Sequence, residues 1–146
     1  SLPEPKKQPS SVLELVNKTV ALYPDECIEV QNIGDITLVI DAVQFEQVLI
    51  NLVKNALEAV KNAGEEGKVA ISGQVNGKVF SLSLVDDGTG VSNLDNLFVP
   101  FYTTKSKGSG IGLVLCRQII EAHGGKISLT NRLGVSGCIA TIELPL

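Results

Sequence analysis

The sequence predicts an α+β fold, a two-layer sandwich with about three helices on one face of a mixed, largely antiparallel sheet of about five strands. Three observations predict it. Long segments carry apolar residues at helical spacing, shorter segments alternate with period two, and turn residues join neighbouring strand runs. The 146 residues, 44% hydrophobic and 19% charged, suit one ordinary domain with a single core.

Residues 1–9 hold three of the six prolines and two lysines and read as a linker or frayed entry, with Ser1-Leu2 a cloning remnant. The domain proper is expected over 10–146. A helix fits 11–23: Ser11 caps it, Val12, Leu15, Val16 and Thr19 recur at helical spacing, and Pro24 stops it. Short β runs follow over 28–31 and 36–40, separated by Asn32-Ile33-Gly34-Asp35, a hairpin-like break. The strongest helical pattern runs from Asp41, a plausible N-cap, to about residue 63. Phe45, Val48, Leu49, Leu52, Val53, Ala56, Leu57 and Val60 form its apolar face, and Gly64 or Gly67 ends it. Runs over 68–75 and 78–85, joined by Asn76-Gly77, read as a hairpin. Residues 86–110 are loop-like, punctuated by Gly88, Gly90, Pro100, Gly108 and Gly110. A last helix over 111–122 closes on His123-Gly124-Gly125, and strands fit 126–131 and 138–144.

Counting disposes of several function classes. Lys and Arg number 12 against 16 acidic residues, a net charge of -4, and aromatics are 4% with no Trp. That balance disfavours nucleic acid as a partner. Cys27, Cys116 and Cys138 are odd in number and lack C-x-x-C spacing, so neither zinc nor a disulfide framework is suggested and a reducing, cytoplasmic setting is expected. No apolar run has the length to cross a bilayer and no leader opens the chain, so no direct membrane contact is expected. Met is absent even at position 1, which suggests a piece of a longer polypeptide.

Four short motifs carry chemistry. On the long helix, Asn51 and Asn55 stack one turn apart at the rim of the apolar arc, with Gln47 and Glu58 extending the polar stripe. Two asparagines alone more often mark a solvated face, yet an amide oxygen also suits a Mg²⁺ that already carries phosphates. Asp86-Asp87-Gly88-Thr89-Gly90 follows an apolar strand. An ordinary turn has that composition, and so does a loop whose backbone approaches a flat ligand beside a carboxylate acceptor. Phe98-Val99-Pro100-Phe101-Tyr102-Thr103-Thr104-Lys105 sets bulky apolar residues in a polar stretch, either a loop tucked into the core or the anchor of a mobile cover. Gly108-Ser109-Gly110-Ile111-Gly112-Leu113 opens a helix, where N–H groups can hold an anion. A dinucleotide fingerprint would lie early, after a first strand, and no Walker loop occurs.

In that order and spacing the motifs resemble the GHKL, or Bergerat-fold, family of ATP-binding domains. The resemblance is strongest to the catalytic, ATP-binding domain of sensor histidine kinases, on Q-V-L-I-N-L-V-K-N-A, D-D-G-T-G, F-V-P-F-Y-T-T-K, G-S-G-I-G-L and R-Q-I-I-E-A-H-G-G. It runs from about Val12 to Leu144-Pro145, and P-F-Y-T-T-K with N-A-L-E-A looks like the nitrogen-regulation branch. One departure is Gly137-Cys138 and Ala140, where the family usually has Gly-Thr and an aromatic.

The resemblance implies ATP and Mg²⁺ as cofactors, with Asn55 the metal ligand and Asp86 the adenine reader. An ionised Asp accepts from adenine's exocyclic amine and repels the oxygen guanine carries there; mismatches of this type discriminate by factors of about 10⁴. Gly88 and Gly90 would wall the base; Asn51 and, from the cover, Phe98 and Thr104 would also bind the nucleotide; Gly108, Ser109, Gly110, Ile111, Gly112 and Leu113 would present N–H groups to the phosphates. Lys105 and Lys107 either reach the phosphates or are solvated. Asn51, Asn55 and Lys105 are the expected catalytic residues. Where ATP-hydrolysing clamps of the superfamily have a glutamate four residues before the metal ligand, this chain has Asn51. An amide is no base near neutral pH, so phosphoryl transfer to a protein is expected over hydrolysis.

The implied acceptor is a histidine on a separate dimerisation hairpin, since His123 is the only histidine and sits at the family's H-G-G stop, where its ring can meet the helix dipole. A response regulator is the further partner implied, with a monomeric isolated domain, a homodimeric parent, and a parent that can be anchored in the inner membrane. Two rival functions remain at this level: a nucleotide-binding regulatory module, told apart by absence of transfer, and an anti-sigma-factor-like serine kinase, told apart by an acid-stable product.

Overall fold

Among the described residues ten elements arise in the order β1 (Gln8–Ser11), α1 (Val12–Val20), β2 (Ile28–Gln31), β3 (Thr37–Ile40), α2 (Ala42–Asn62), β4 (Val69–Asn76), β5 (Val79–Asp86), α3 (Ile111–Ala122), β6 (Lys126–Asn131) and β7 (Cys138–Pro145). They are those of a computed structural model that describes residues 2–64, 67–88 and 111–146. Five strands form one sheet in the order β2-β4-β5-β7-β6, while β1 and β3 pair apart from it. Only β2 and β4 run parallel within the five; the other neighbours are antiparallel. The α+β sandwich with a mixed, mostly antiparallel sheet is therefore present as the sequence predicts.

One sheet face is apolar because alternate residues of three central strands share it. Val69 and Ile71 of β4, Phe80, Leu82 and Leu84 of β5, and Ala140, Ile142 and Leu144 of β7 are all buried. Against them lies α2, whose buried stripe of Phe45, Val48, Leu49, Leu52, Val53, Ala56, Leu57 and Val60 matches the expected face residue for residue. Asp41 caps α2 by accepting from the Gln44 N–H, and Gly64, at φ +72°, stops it. The Gln44 N–H, followed by the Lys6 N–H, holds the Asp41 carboxyl below the usual carboxylate range. Its contribution to stability is present above about pH 3.8 and is lost as pH falls through the lower folded value.

Four local expectations differ from the structure. Gln8–Ser11 is a strand rather than linker, pairing antiparallel with Thr37–Ile40; Pro9 is tolerated because the ladder is a two-stranded edge. The helix expected over 11–23 ends at Val20, and the Leu22 and Tyr23 N–H groups tighten onto Thr19 and Val20 carbonyls. β2 and β3 do not form a hairpin. Asn32 and Gly34 take positive φ (51° and 67°), turning the chain out of the sheet, so β2 pairs with β4 and β3 with β1. The β4–β5 hairpin is real, but its loop is Gly77-Lys78 and Asn76 is already paired with Val79. Gly77, at φ +61°, supplies the first central position that such a tight turn requires.

At the end of α3, Gly124 (φ +75°) donates to the Glu121 carbonyl and Gly125 to that of Ile120, the two bonds of a Schellman stop. His123 precedes them, buried, and its Nε2 accepts from the Asp41 N–H at 3.0 Å. Nδ1 therefore carries the proton, donated to the Ile119 carbonyl at 2.8 Å. One imidazole thus joins the C-terminus of α3 to the N-cap of α2. His123→Ala is expected to lower the unfolding free energy by about 1–3 kcal/mol in urea denaturation at pH 7; an unchanged midpoint would show the ring to be dispensable.

Candidate functional site

The helix-facing alternation of β5 continues past Phe80, Leu82 and Leu84 to Asp86, which is 5% exposed. A carboxylate thus occupies the last core-facing position of a central strand. Its Oδ1 accepts from the Gly88 N–H (2.8 Å) and, across the ladder, from the Cys138 N–H (3.3 Å). Both bonds fall on one oxygen, so Oδ2 has no hydrogen-bond partner among the described residues. Burial pushes the Asp86 carboxyl above the usual range, opposed first by these two N–H donors. Burial and the Asp86 charge likewise push the neighbouring Cys138 thiol up to about 11, which keeps it neutral.

Gly88 brings this loop onto α2. A Cβ at Gly88 would stand 2.6 Å from the Ala59 Cβ and 2.7 Å from its carbonyl oxygen, so backbone meets backbone there. Ala59 lies one turn beyond Asn55, which lies one turn beyond Asn51. The three positions form one stripe about 12 Å long. At its other end is α3: a Cβ at Gly112 would be 3.0 Å from the Asn51 Oδ1. With the Cys116 thiol 4.0 Å from the Val48 carbonyl and His123 at Asp41, α3 runs antiparallel to α2. Its N-terminus, opened by Ile111, is thereby directed toward the asparagines.

Asn51 donates from Nδ2 to the Gln47 carbonyl (3.1 Å), and burial pushes the nearby Cys116 thiol up to about 12. Asn55 is half-buried on the same stripe, and Leu113 is half-buried in the first turn of α3. Asp86, Gly88, Asn51, Asn55, Gly112 and Leu113 therefore gather along one edge of α2. Gly90, Phe98, Thr104, Lys105, Lys107, Gly108, Ser109 and Gly110 lie outside the described residues.

Sequence reasoning passed over the supports of the loop. Arg132 Nη1 meets Asp87 Oδ1 at 2.6 Å, and the Ser136 hydroxyl donates to the Gly88 carbonyl. Arg132 and Ser136 stand more than forty residues from their partners, which no local pattern reveals. The position of Asp86 was legible in the parity of Phe80, Leu82 and Leu84.

The sequence profile of the histidine kinase-, DNA gyrase B- and HSP90-like ATPases matches residues 40–146. The chain belongs to that family. Within it the similarity is to sensor kinases: the chain is 36% identical over 139 residues to sporulation kinase D of Bacillus subtilis (92% of this chain, 26% of that protein). It is 35% identical over 108 residues to the sensor histidine kinase ZraS of Escherichia coli K12 (73% and 22%). Among solved structures, the catalytic domain of histidine kinase ThkA superposes with a TM-score of 0.81 at 34% identity, covering 96% of this chain and 95% of that one. The same kinase in complex with the response regulator protein TrrA matches at a TM-score of 0.78 and 32% identity, over 97% of this chain and 42% of that one. The chain thus spans about a quarter of the length of the curated relatives it matches. Its fold is that of a histidine-kinase catalytic domain.

Because the folded pKa of Asp86 lies above the unfolded one, its ionised form opposes folding. The cost is absent at low pH, grows as pH rises above about 3.8, and is complete above the folded value. Asp86→Asn keeps an oxygen acceptor and removes the charge. The ligand-free Asp86→Asn domain is expected to melt about 2–4 °C higher at pH 7, with the gap closing toward pH 3. Circular dichroism melts across that range would refute this if the variant melted lower at pH 7.

Proposed function

We propose that this domain binds Mg·ATP along the Asn51–Asn55–Ala59 edge of α2 and transfers the γ-phosphoryl group to a histidine on a dimerisation hairpin of the longer protein. The single observation that carries the reading is the alignment of three chemically different groups on that edge. A buried carboxylate stands at one end, an amide in the middle, and a helix N-terminus at the other. An extended nucleoside triphosphate offers an amine, a metal-bound phosphate chain and a terminal anion in the same order.

Each group has one task. Asp86 Oδ2 accepts from the adenine amine, and the Gly88 backbone, seated on Ala59, forms the wall beside the base. Asn55 contributes an amide oxygen to the cation. No group of three or more His, Cys, Asp or Glu side chains gathers among the described residues, so the donor chemistry here suits an ion that takes most of its ligands from phosphates and water. The cation, when bound, neutralises charge on the phosphates. The N–H groups at the start of α3 receive the phosphate oxygens. Asn51 is an amide that already donates to the Gln47 carbonyl, with α3 packed so closely that a Cβ at Gly112 would lie 3.0 Å from its Oδ1, which supports transfer over water activation.

His123 is an unsuitable acceptor, because both ring nitrogens are hydrogen-bonded and the residue is buried. The partners that follow are the hairpin and a response regulator, in a cytoplasmic setting. No helix among the described residues is long and apolar enough to cross a membrane.

Titration of ATP and GTP, with and without Mg²⁺, tests the site. Wild type should prefer ATP; Asp86→Asn should lose about tenfold or more in ATP affinity, the worth of one buried charged hydrogen bond. Asn55→Ala should bind ATP with little dependence on Mg²⁺. GTP binding equal to ATP binding would remove the adenine reading. Transfer is tested by mixing the chain with a phosphoacceptor hairpin and radiolabelled ATP. Acid-labile phosphate should accumulate on the hairpin histidine and not on this chain; acid-labile label on the isolated chain itself that His123→Ala abolishes would overturn the assignment.

A further inference from the structure

Asp86 is fixed by attachments that come from an unexpected direction. The turn between β6 and β7, residues 132–137, curls under the site end of the sheet and closes on itself through the Arg132 N–H to Gly137 carbonyl bond (3.0 Å). Gly137, at φ +124°, lies so close to the Asp86 carbonyl that a Cβ would overlap it. From this turn Arg132 reaches Asp87 at 2.6 Å, and the same nitrogen contacts the Ser136 carbonyl at 3.3 Å. The other oxygen of Asp87 accepts from the Lys68 N–H at 3.2 Å, while the Asp87 N–H donates to the Lys68 carbonyl at 3.3 Å. The Ser136 hydroxyl holds the carbonyl of Gly88. Residues 86–88 are thus clamped between the entry to β4 on one side and the β6–β7 turn on the other.

In this clamp one cationic side chain does the joining. Arg132 is 28% exposed and Asp87 40%, so the pair is partly shielded, and one nitrogen, Nη1, ties the Asp87 carboxylate to the Ser136 carbonyl of the turn. If it is lost, the carboxylate of Asp87 keeps only the Lys68 N–H next to the buried Asp86, and the Ser136 hydroxyl that holds the Gly88 carbonyl belongs to a turn without its Arg132–Ser136 contact.

We propose that Arg132 is a positioning residue for nucleotide specificity: by holding Asp87 against the β6–β7 turn it sets the direction of the Asp86 carboxylate toward the exocyclic amine of the base. This rests on the reading of Asp86 given above. Arg132 touches no nucleotide and acts through Asp87 and Gly88. Its effect therefore falls on the discrimination between adenine and guanine rather than on triphosphate binding in general.

The test compares dissociation constants for ATP and GTP, with melting temperatures, for wild type, Asp86→Asn, Arg132→Ala, Arg132→Lys, Asp87→Ala and the Arg132→Ala/Asp87→Ala double variant. Arg132→Ala should weaken ATP about five- to tenfold with GTP little changed, the size of coupling seen between residues of one network. Arg132→Lys should recover part of that loss. The double variant should be no worse than the poorer single one. If Asp86→Asn leaves ATP binding intact, the site reading itself fails. If Asp86→Asn loses ATP while Arg132→Ala binds ATP and GTP as wild type, the positioning role fails. Equal weakening of both nucleotides with a lower melting temperature, unrescued by lysine, would also overturn it, since that is the behaviour of a purely structural ion pair. Should Arg132→Ala not fold, the lysine variant alone decides, because a reduced ATP-to-GTP preference at unchanged melting temperature is expected of it and an unchanged preference is not.

Discussion

A buried carboxylate at the end of a central strand is the constraint around which the site end of this domain is organised. Strand alternation gives Asp86 the same face as Phe80, Leu82 and Leu84, so the residue is enclosed by the packing that stabilises the sheet. Burial alone would neutralise it or expel it. Two backbone N–H groups on a single oxygen offset part of that penalty and leave the second oxygen aimed elsewhere. The raised pKa shows that the compensation is incomplete. Its charge is costly to the fold, and in the proposed function a donor on the bound base offsets that cost.

The long helix α2 converts that local arrangement into a site. Its apolar stripe docks on the sheet, and its polar edge is touched at three levels by different parts of the chain. Near the N-cap, His123 fastens the end of α3 to Asp41; two to three turns later Asn51 meets Gly112; two turns beyond, Ala59 receives Gly88. Because α3 is antiparallel to α2 and pinned at its far end by the imidazole, the register of its N-terminus on Asn51 is set by a contact many residues away. In the proposed function, phosphate and base ends of the nucleotide are thus referenced to one rigid rod.

What could be read from the sequence was what local chemistry determines. The caps Ser11 and Asp41, the eight apolar positions of α2, the Gly-Gly stop after His123 and the paired β4 and β5 all follow from spacing within one element. The failures came where a distant strand decided the outcome. Prolines and lysines made the entry look like linker, yet Gln8–Ser11 is held by β3, and Asn32 with Gly34 redirected what looked like a hairpin into two separate sheets. Of the candidate site, Asp86, Gly88, Asn51, Asn55 and Gly112 stood out as motif residues. Arg132 and Ser136 did not, because an arginine in a polar turn has no signature until its partner is known.

Asn51 shows how packing bears on reaction class. A glutamate there would be one methylene longer at a point where the amide oxygen already lies close to the Gly112 backbone. It would carry its charge beside a thiol that burial holds near 12, and would lose the Nδ2 donor that ties the side chain to Gln47. A water-activating base needs the opposite surroundings: an acceptor with free lone pairs, held a hydrogen bond away from a water molecule. The close approach of α3 that brings its N-terminus to the asparagine stripe is therefore the same feature that leaves no base poised at this position. In the proposed function, a domain built in this way hands the phosphoryl group to an acceptor delivered from outside rather than to water.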